Sequence, residues 1–241
     1  NNIAQKSEAE LAQIFAAIPT SVTSLDLGCS GLDQKSGAEL AQIFAAIPTS
    51  VTSLHLSWNH LDQESGAELE QAFRAIPSTV TSLDLGGNDL GDKSGADLAQ
   101  AFRAIPSTVT SLDLRRNGLY CKSGAELAQA IKAIPRTVTS LDLRSNHLGA
   151  KLSLCIPDTV QEITVSDDDI NSLSSTELIK LGKALSWVRK VNVLDGNNHT
   201  VENKKTRFLK PYIGASILEA NTQLAKKLPV ELISLIQMHA N

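Results

Sequence analysis

"VTSLDLGGNDLGDKSGADLAQAFRAIP", residues 80–106, holds two periodicities in one stretch. In its first half Leu83 and Leu85 are apolar and Asp84 between them is polar. That spacing of two predicts a strand with one face turned inward. In its second half Leu98, Ala101, Phe102 and Ile105 fall at i, i+3, i+4 and i+7, one face of a helix. Ser94 stands three residues before Asp97, the spacing of a reciprocal capping box at a helix start. Pro106 ends the helix.

The stretch recurs. "VTSL" begins at Val22, Val51, Val80, Val109 and Val138, with a period of 29 residues. Degenerate copies begin at Val160 ("VQEITVSDDDI") and Val188 ("VRKVNVLDGNN"). Ser-x-x-acid pairs repeat at Ser7/Glu10, Ser36/Glu39, Ser65/Glu68, Ser123/Glu126 and Ser174/Glu177, and helix-stopping prolines at Pro19, Pro48, Pro77 and Pro135. Residues 7–18 are therefore a helix whose strand is missing. Strand then helix, repeated in one order, gives parallel strands in one sheet with helices on the other side. Strands sit about 4.8 Å apart while helices need about 8–10 Å, so the array curves with its strands on the concave side. Each unit buries its apolar face on its neighbours. The fold class expected is an α/β solenoid, a curved horseshoe segment.

"LHLSWNHL", "LDLGGNDL", "LDLRRNGL" and "LDLRSNHL" resemble the leucine-rich repeat signature L-x-L-x-x-N-x-L. The period and the full helix are similar to the ribonuclease-inhibitor-like subclass. The resemblance covers residues 20–170 tightly and 171–197 loosely. It implies that Asn59, Asn88, Asn117 and Asn146 point inward and bond loop backbone groups, with Ser30 and Asp168 at that position in the first and sixth copies. The near-identical units, Ala-rich helices and "AIP" stops also resemble leucine-rich effectors of intracellular bacteria such as Legionella. Residues 1–197 are read as the repeat domain and 198–241 as a helical C-terminal cap. The cap carries Phe208, Tyr212, Ile213 and Ile217 at helical intervals and Pro229 at the start of a last helix.

Composition bounds the function. Aromatic residues make up 4% of the chain, so the core is built from Leu, Ile, Val and Ala. The net charge of −4 gives no general attraction to nucleic acid or anionic membranes. Residues 1–108 carry 5 basic and 13 acidic side chains, residues 109–241 carry 17 and 13, so the chain is acidic first and basic later. Cys29, Cys121 and Cys155 form neither a disulfide framework nor a zinc set, which points to a reducing cytosol. No apolar run approaches the roughly 18–20 residues that span a bilayer.

The copies also provide an internal comparison. Valine, leucine and helix-core positions are nearly fixed, whereas variation gathers between and after the leucines. The column between them reads Asp26, His55, Asp84, Asp113, Asp142. Two residues on it reads Gly28, Ser57, Gly86, Arg115, Arg144, and next Cys29, Trp58, Gly87, Arg116, Ser145. After the Asn position it reads Gly31, His60, Asp89, Gly118, His147. Packing freezes a position and exposure frees it, so these columns mark the concave face and its rim. They nominate His55, Ser57, Trp58, His60, Asp84, Asp89, Asp113, Arg115, Arg116, Tyr120, Asp142, Arg144 and His147 as contacts for a partner. Trp58 either stays open to that partner or folds over a neighbour such as Gly87. The aspartates and arginines either neutralise one another as a lattice or offer a charged docking strip. Aspartates on adjacent strands repel by about 0.9 kcal/mol in water, so the arginines two residues on are needed beside them.

Chemistry is sparse. Cys29, His55 and Asp84 lie in one row without a pocket to exclude water, and no phosphate loop, paired-His metal motif or nucleophile elbow appears. "DDD" at 167–169 is expected to be a solvated turn rather than a cation site. Arginines interleaved with aspartates make a poor phosphate cradle. The expectation is a non-catalytic protein-recognition module without a cofactor, monomeric when free, which the second resemblance would place in a host cell's cytosol against a host protein. The alternative is a substrate-recruiting subunit of a ubiquitin ligase, since "LPVELISLI" (228–236) is similar to the opening of an F-box.

Overall fold

The computed structural model describes residues 3–213. Its strands are β1 Ser24–Asp26, β2 Ser53–His55, β3 Ser82–Asp84, β4 Ser111–Asp113, β5 Ser140–Asp142, β6 Glu162–Ser166 and β7 Lys190–Leu194. All are parallel and follow chain order in one seven-stranded sheet. Equivalent residues pair along it, as in Leu54↔Leu83 and Leu83↔Leu112. The offset is one full period from β1 to β5. It shortens to Ser140↔Glu162 and then Glu162↔Lys190 where the copies degenerate.

The helices are α1 Glu8–Ala16, α2 Gly37–Ala45, α3 Gly66–Arg74, α4 Gly95–Arg103, α5 Gly124–Lys132, α6 Leu152–Cys155, α7 Asp167–Asn171, α8 Ser175–Ala184 and α9 Lys204–Leu209. Each of the first five begins at the serine the sequence marked. At Ser65 the hydroxyl accepts from the Glu68 amide while the Ser65 amide donates to the Glu68 carboxylate at 2.9 Å. The box at Ser94 is only half made. Asp97 is one methylene too short to reach the Ser94 amide, and its carboxylate takes the Ser94 hydroxyl instead at 2.7 Å.

Leucines of the strands and the apolar helix faces form one continuous core, with Leu54, Leu83, Leu112 and Leu141 in one column and Phe44, Phe73 and Phe102 in another. Successive helices pack on each other along the outer side. Gly66 permits this at the start of α3. A Cβ there would come within 2.8 Å of the Cα and Cβ of Asp97 on the next helix.

The asparagines build a ladder through the loops. Asn88 Oδ1 accepts from the Asn59 amide at 2.8 Å, and its Nδ2 donates to the Leu56 and Leu85 carbonyls at 3.0 Å. Asn59, Asn117 and Asn146 repeat the pattern, and all four are fully buried. In the first copy the Ser30 amide still donates to Asn59 Oδ1, but the Ser30 hydroxyl bonds only its own loop, at the Gly28 carbonyl. In the sixth copy the sequence expectation fails. Asp168 is exposed, and Asp169, 2% exposed, takes the Gly149 amide at 2.9 Å. The shortened repeat offsets the ladder by one residue. "DDD" is likewise not a solvated turn: it opens α7 and buries its third member.

After β7 the polar loop turns back, with the Val201 amide on the Val193 carbonyl, and Asn203 caps α9. Tyr212 lies against Gly182 of α8. Ile217, the last helix at Pro229 and the F-box-like stretch 228–236 lie outside the described residues. Among the described residues no helix is long and apolar enough to cross a membrane.

Candidate functional site

The sheet face opposite the helices carries the side chains between the leucines. Repeated register brings them into rows: His55 pairs with Asp84, Asp84 with Asp113, and Asp113 with Asp142 across neighbouring strands. Arginines lie over these aspartates. Arg115 reaches Asp84 at 3.1 Å and Asp113 at 3.2 Å. Arg144 grips Asp142 through a forked contact of 2.6–3.0 Å and also meets Asn198. His55 sits 3.6 Å from Asp84 and 3.2 Å from the Ser53 hydroxyl. Both arginines of the lattice are thus taken by its three aspartates, and Asp84 is 8% exposed. The expectation that this whole column is free to differ because it is exposed is corrected at Asp84. Its carboxylate lies under Arg115 and accepts from the Gly86 amide at 2.8 Å. Asp113 stands between the other two carboxylates: partial burial, then Asp142 and Asp84 on either side, push its acid up to about 6.

Where the chain leaves each of β1 to β5 it turns through left-handed backbone twice. The first turn position is Cys29, Trp58, Gly87, Arg116 or Ser145, the second Gly31, His60, Asp89, Gly118 or His147, all with φ between 49° and 70°. Glycine is the natural occupant, and any other residue costs on the order of 1 kcal/mol. The chain nevertheless holds Trp58 at φ 60°, Arg116 at 55°, His60 at 49° and His147 at 50°, and all four side chains are exposed.

Trp58 folds over its neighbour and is half-covered. Its indole lies on Gly87, where an added Cβ would meet the ring at 2.7–2.9 Å, yet the residue remains 47% exposed. The Arg116 guanidinium stands 5.9 Å from the ring centre, a cation–π distance. Among the described residues Arg116 makes no ion pair, unlike Arg115 and Arg144.

Trp58, Arg115, Arg116, Arg144 and His147 line one cavity of about 290 Å³. The rest of the nominated set lies around it. Ser57 is half-buried beside Gly28, His60 pairs with Asp89 at 3.0 Å, and Tyr120 stands on the rim with its ring edge-on to His147 at 6.2 Å. His60, Asp62 and Asp89 bring ligand-type atoms within 4.8 Å of one another. The part of the cavity lining missed from sequence is Ser166, Asp167, Asp168, Asp195, Gly196 and Asn198. Its loops follow β6 and β7, whose spacing departs from the period, so column alignment did not reach them. The one available signal was "DGNN" standing where "RSNH" stands after β5.

The Leucine Rich repeat family model matches residues 48–69, 77–99 and 135–151. The leucine-rich repeat-containing protein LegL7 of Legionella pneumophila superposes with a TM-score of 0.72 at 35% identity, over 88% of this chain and 78% of that one. The chain is a leucine-rich repeat protein. The tropomodulin C-terminal domain of Caenorhabditis elegans aligns over 92% of the leucine-rich repeat chain at 8% identity, with a TM-score of 0.28 that carries no argument. No curated protein matches the leucine-rich repeat chain by sequence.

Proposed function

We propose that this leucine-rich repeat chain is a non-catalytic recognition module that holds a partner protein on its concave face and the adjoining rim. The observation that supports this most is the left-handed positions. Other copies make the same two turns with glycine, serine or cysteine, so the turns do not require Trp58, Arg116, His60 and His147, which stand there against backbone preference. Trp and Arg are also the side chains that anchor protein interfaces. The seven strands present a face on the order of 30 Å wide, enough for a helix or loop of a partner. The likeness to LegL7, a Legionella protein, supports an effector role against a host protein in the host cytoplasm. In this reading residues 1–197 are the recognising array and 198–241 close its end.

The test is capture from host-cell lysate by the intact chain and by a Trp58→Ala/His60→Ala/Arg116→Ala variant. The expected outcome is loss of a specific partner, with the thermal midpoint of the variant within a few degrees of the parent. Retention of every partner at unchanged affinity would remove the concave face from consideration.

A further inference from the structure

The cavity beside Trp58 is not uniform in charge. One wall carries Trp58 and Arg116, and the other carries Asp167, Asp168 and Asp195. Arg115 and Arg144 also line it, but their charges are taken by Asp84, Asp113 and Asp142. Asp195 is turned to the Asn197 and His199 amides of its own loop, at 2.8 Å each. Among the described residues that leaves Arg116 as the arginine without an ion pair, and Asp167 and Asp168 as acids without one, around the same space. They do not pair with each other.

Three features specify an occupant. The Arg116 guanidinium lies over the indole at 5.9 Å and makes no ion pair among the described residues, so its N–H groups suit a planar two-oxygen acceptor. The open part of the indole suits a second flat side chain. The acidic wall suits a cation and repels a run of phosphates, which argues against nucleic acid. The volume, about 290 Å³, corresponds to on the order of ten waters, room for one or two side chains rather than a domain.

We infer that this cavity takes a short segment of the partner protein in which a carboxylate side chain, next to an aromatic one, meets Arg116 and Trp58, and a basic side chain a few residues away meets Asp167 and Asp168. This rests on the recognition role proposed above and adds the chemistry of the partner. The arrangement is dipolar, so it also sets the direction in which the segment crosses the rim.

The chain provides its own reporter. It has two tryptophans, and the Trp187 indole N–H is bonded to the Pro157 carbonyl at 3.0 Å, away from the cavity. The intact chain, labelled with ¹⁵N, is titrated with pools of capped heptapeptides that contain Tyr-Glu with Lys two, three or four residues away. Expected is movement of the Trp58 indole signal with the Trp187 signal still. Affinity falls roughly tenfold when Glu is replaced by Gln in the peptides, or when the protein carries Arg116→Gln, the worth of a charge-assisted bond. Asp167→Asn/Asp168→Asn weakens these peptides but not matched pools with Ala in place of Lys. Equal binding of the Glu and Gln pools, indifference to Arg116→Gln, or no movement at millimolar peptide would overturn the inference. The two proposals separate cleanly. A captured partner that needs Trp58 and His60 but ignores Arg116→Gln defeats the dipolar segment and leaves the recognition face standing. A partner that ignores the triple alanine variant defeats the face itself.

Discussion

At the scale of single residues, the buried amides are the most exacting part of the molecule. Asn88→Ala leaves the Asn59 amide with no acceptor and strips one of two donors from each of the Leu56 and Leu85 carbonyls. The expected loss is about 2–4 kcal/mol in urea denaturation. Ser30→Ala removes a single bond of its own loop and is expected to lose about 1 kcal/mol. Asp113 acts in the other direction. Its acid is raised from 3.8 to about 6 in the fold, so between those pH values the folded chain holds the proton more tightly than the unfolded one. Its ionisation therefore removes stability as pH rises through that window, with nothing lost below it and nothing further above. Asp113→Asn keeps an acceptor for the Arg115 amide and leaves Asp84 to pair with Arg115. It is expected to raise stability by about 1–2 kcal/mol at pH 7.5 and to have little effect at pH 4. Urea midpoints at the two pH values decide it; an equal effect at both rules out the charge explanation.

At the scale of elements, the helices depend on what their first residue lacks. Gly66 faces the backbone of Asp97, whereas Gly124, its counterpart in α5, meets only the Leu154 Cδ1, because α6 is short. Gly66→Ala is expected to cost about 1–3 kcal/mol by overpacking against a neighbour that cannot retreat. Gly124→Ala needs only a rotation of Leu154, which is more than half exposed, and gains about 0.5–1 kcal/mol of helix propensity. Opposite signs in thermal melts of the two variants are the outcome expected. A similar loss in both would show that helix spacing, not this contact, sets the tolerance. The capping boxes were legible to the residue from Ser-x-x-Glu. The half-made box at Ser94 was not, because a spacing rule does not distinguish the reach of Asp from that of Glu.

At the scale of the whole molecule, stability is carried between neighbours, so one period is the unit of change. Excision of residues 109–137 joins Thr108 to Val138 in register and leaves Gly87 free to carry Trp58. The shortened chain is expected to fold, with the circular dichroism per residue of the parent and a single cooperative transition at a lower midpoint. It loses Arg115 and Arg116, so partner capture is expected to fall with the fold intact. An excision that breaks the period, such as residues 109–130, is expected to leave no cooperative transition. Failure of the in-period variant to fold would mean that the array is not locally additive.

The sequence by itself determined the strand-helix unit, its parallel order and the helix starts, since each follows from local spacing repeated at a constant interval; the inward asparagines came from the resemblance to the leucine-rich repeat signature. The sequence also marked Trp58, Arg116, His60 and His147 as residues that packing does not require. Only the tertiary structure decided which charges remain unpaired. The column of Arg115 and Arg144 already set them beside Asp113 and Asp142 of their own strands; the fold adds the reach of Arg115 across to Asp84 and of Arg144 to Asn198, and leaves Arg116 over the indole without an ion pair among the described residues. It also decided that Asp169, not Asp168, enters the ladder, and that the loops after β6 and β7 close the cavity around Trp58. These depend on distances between residues tens of positions apart. Where the period is broken, no rule of spacing carries that information along the chain.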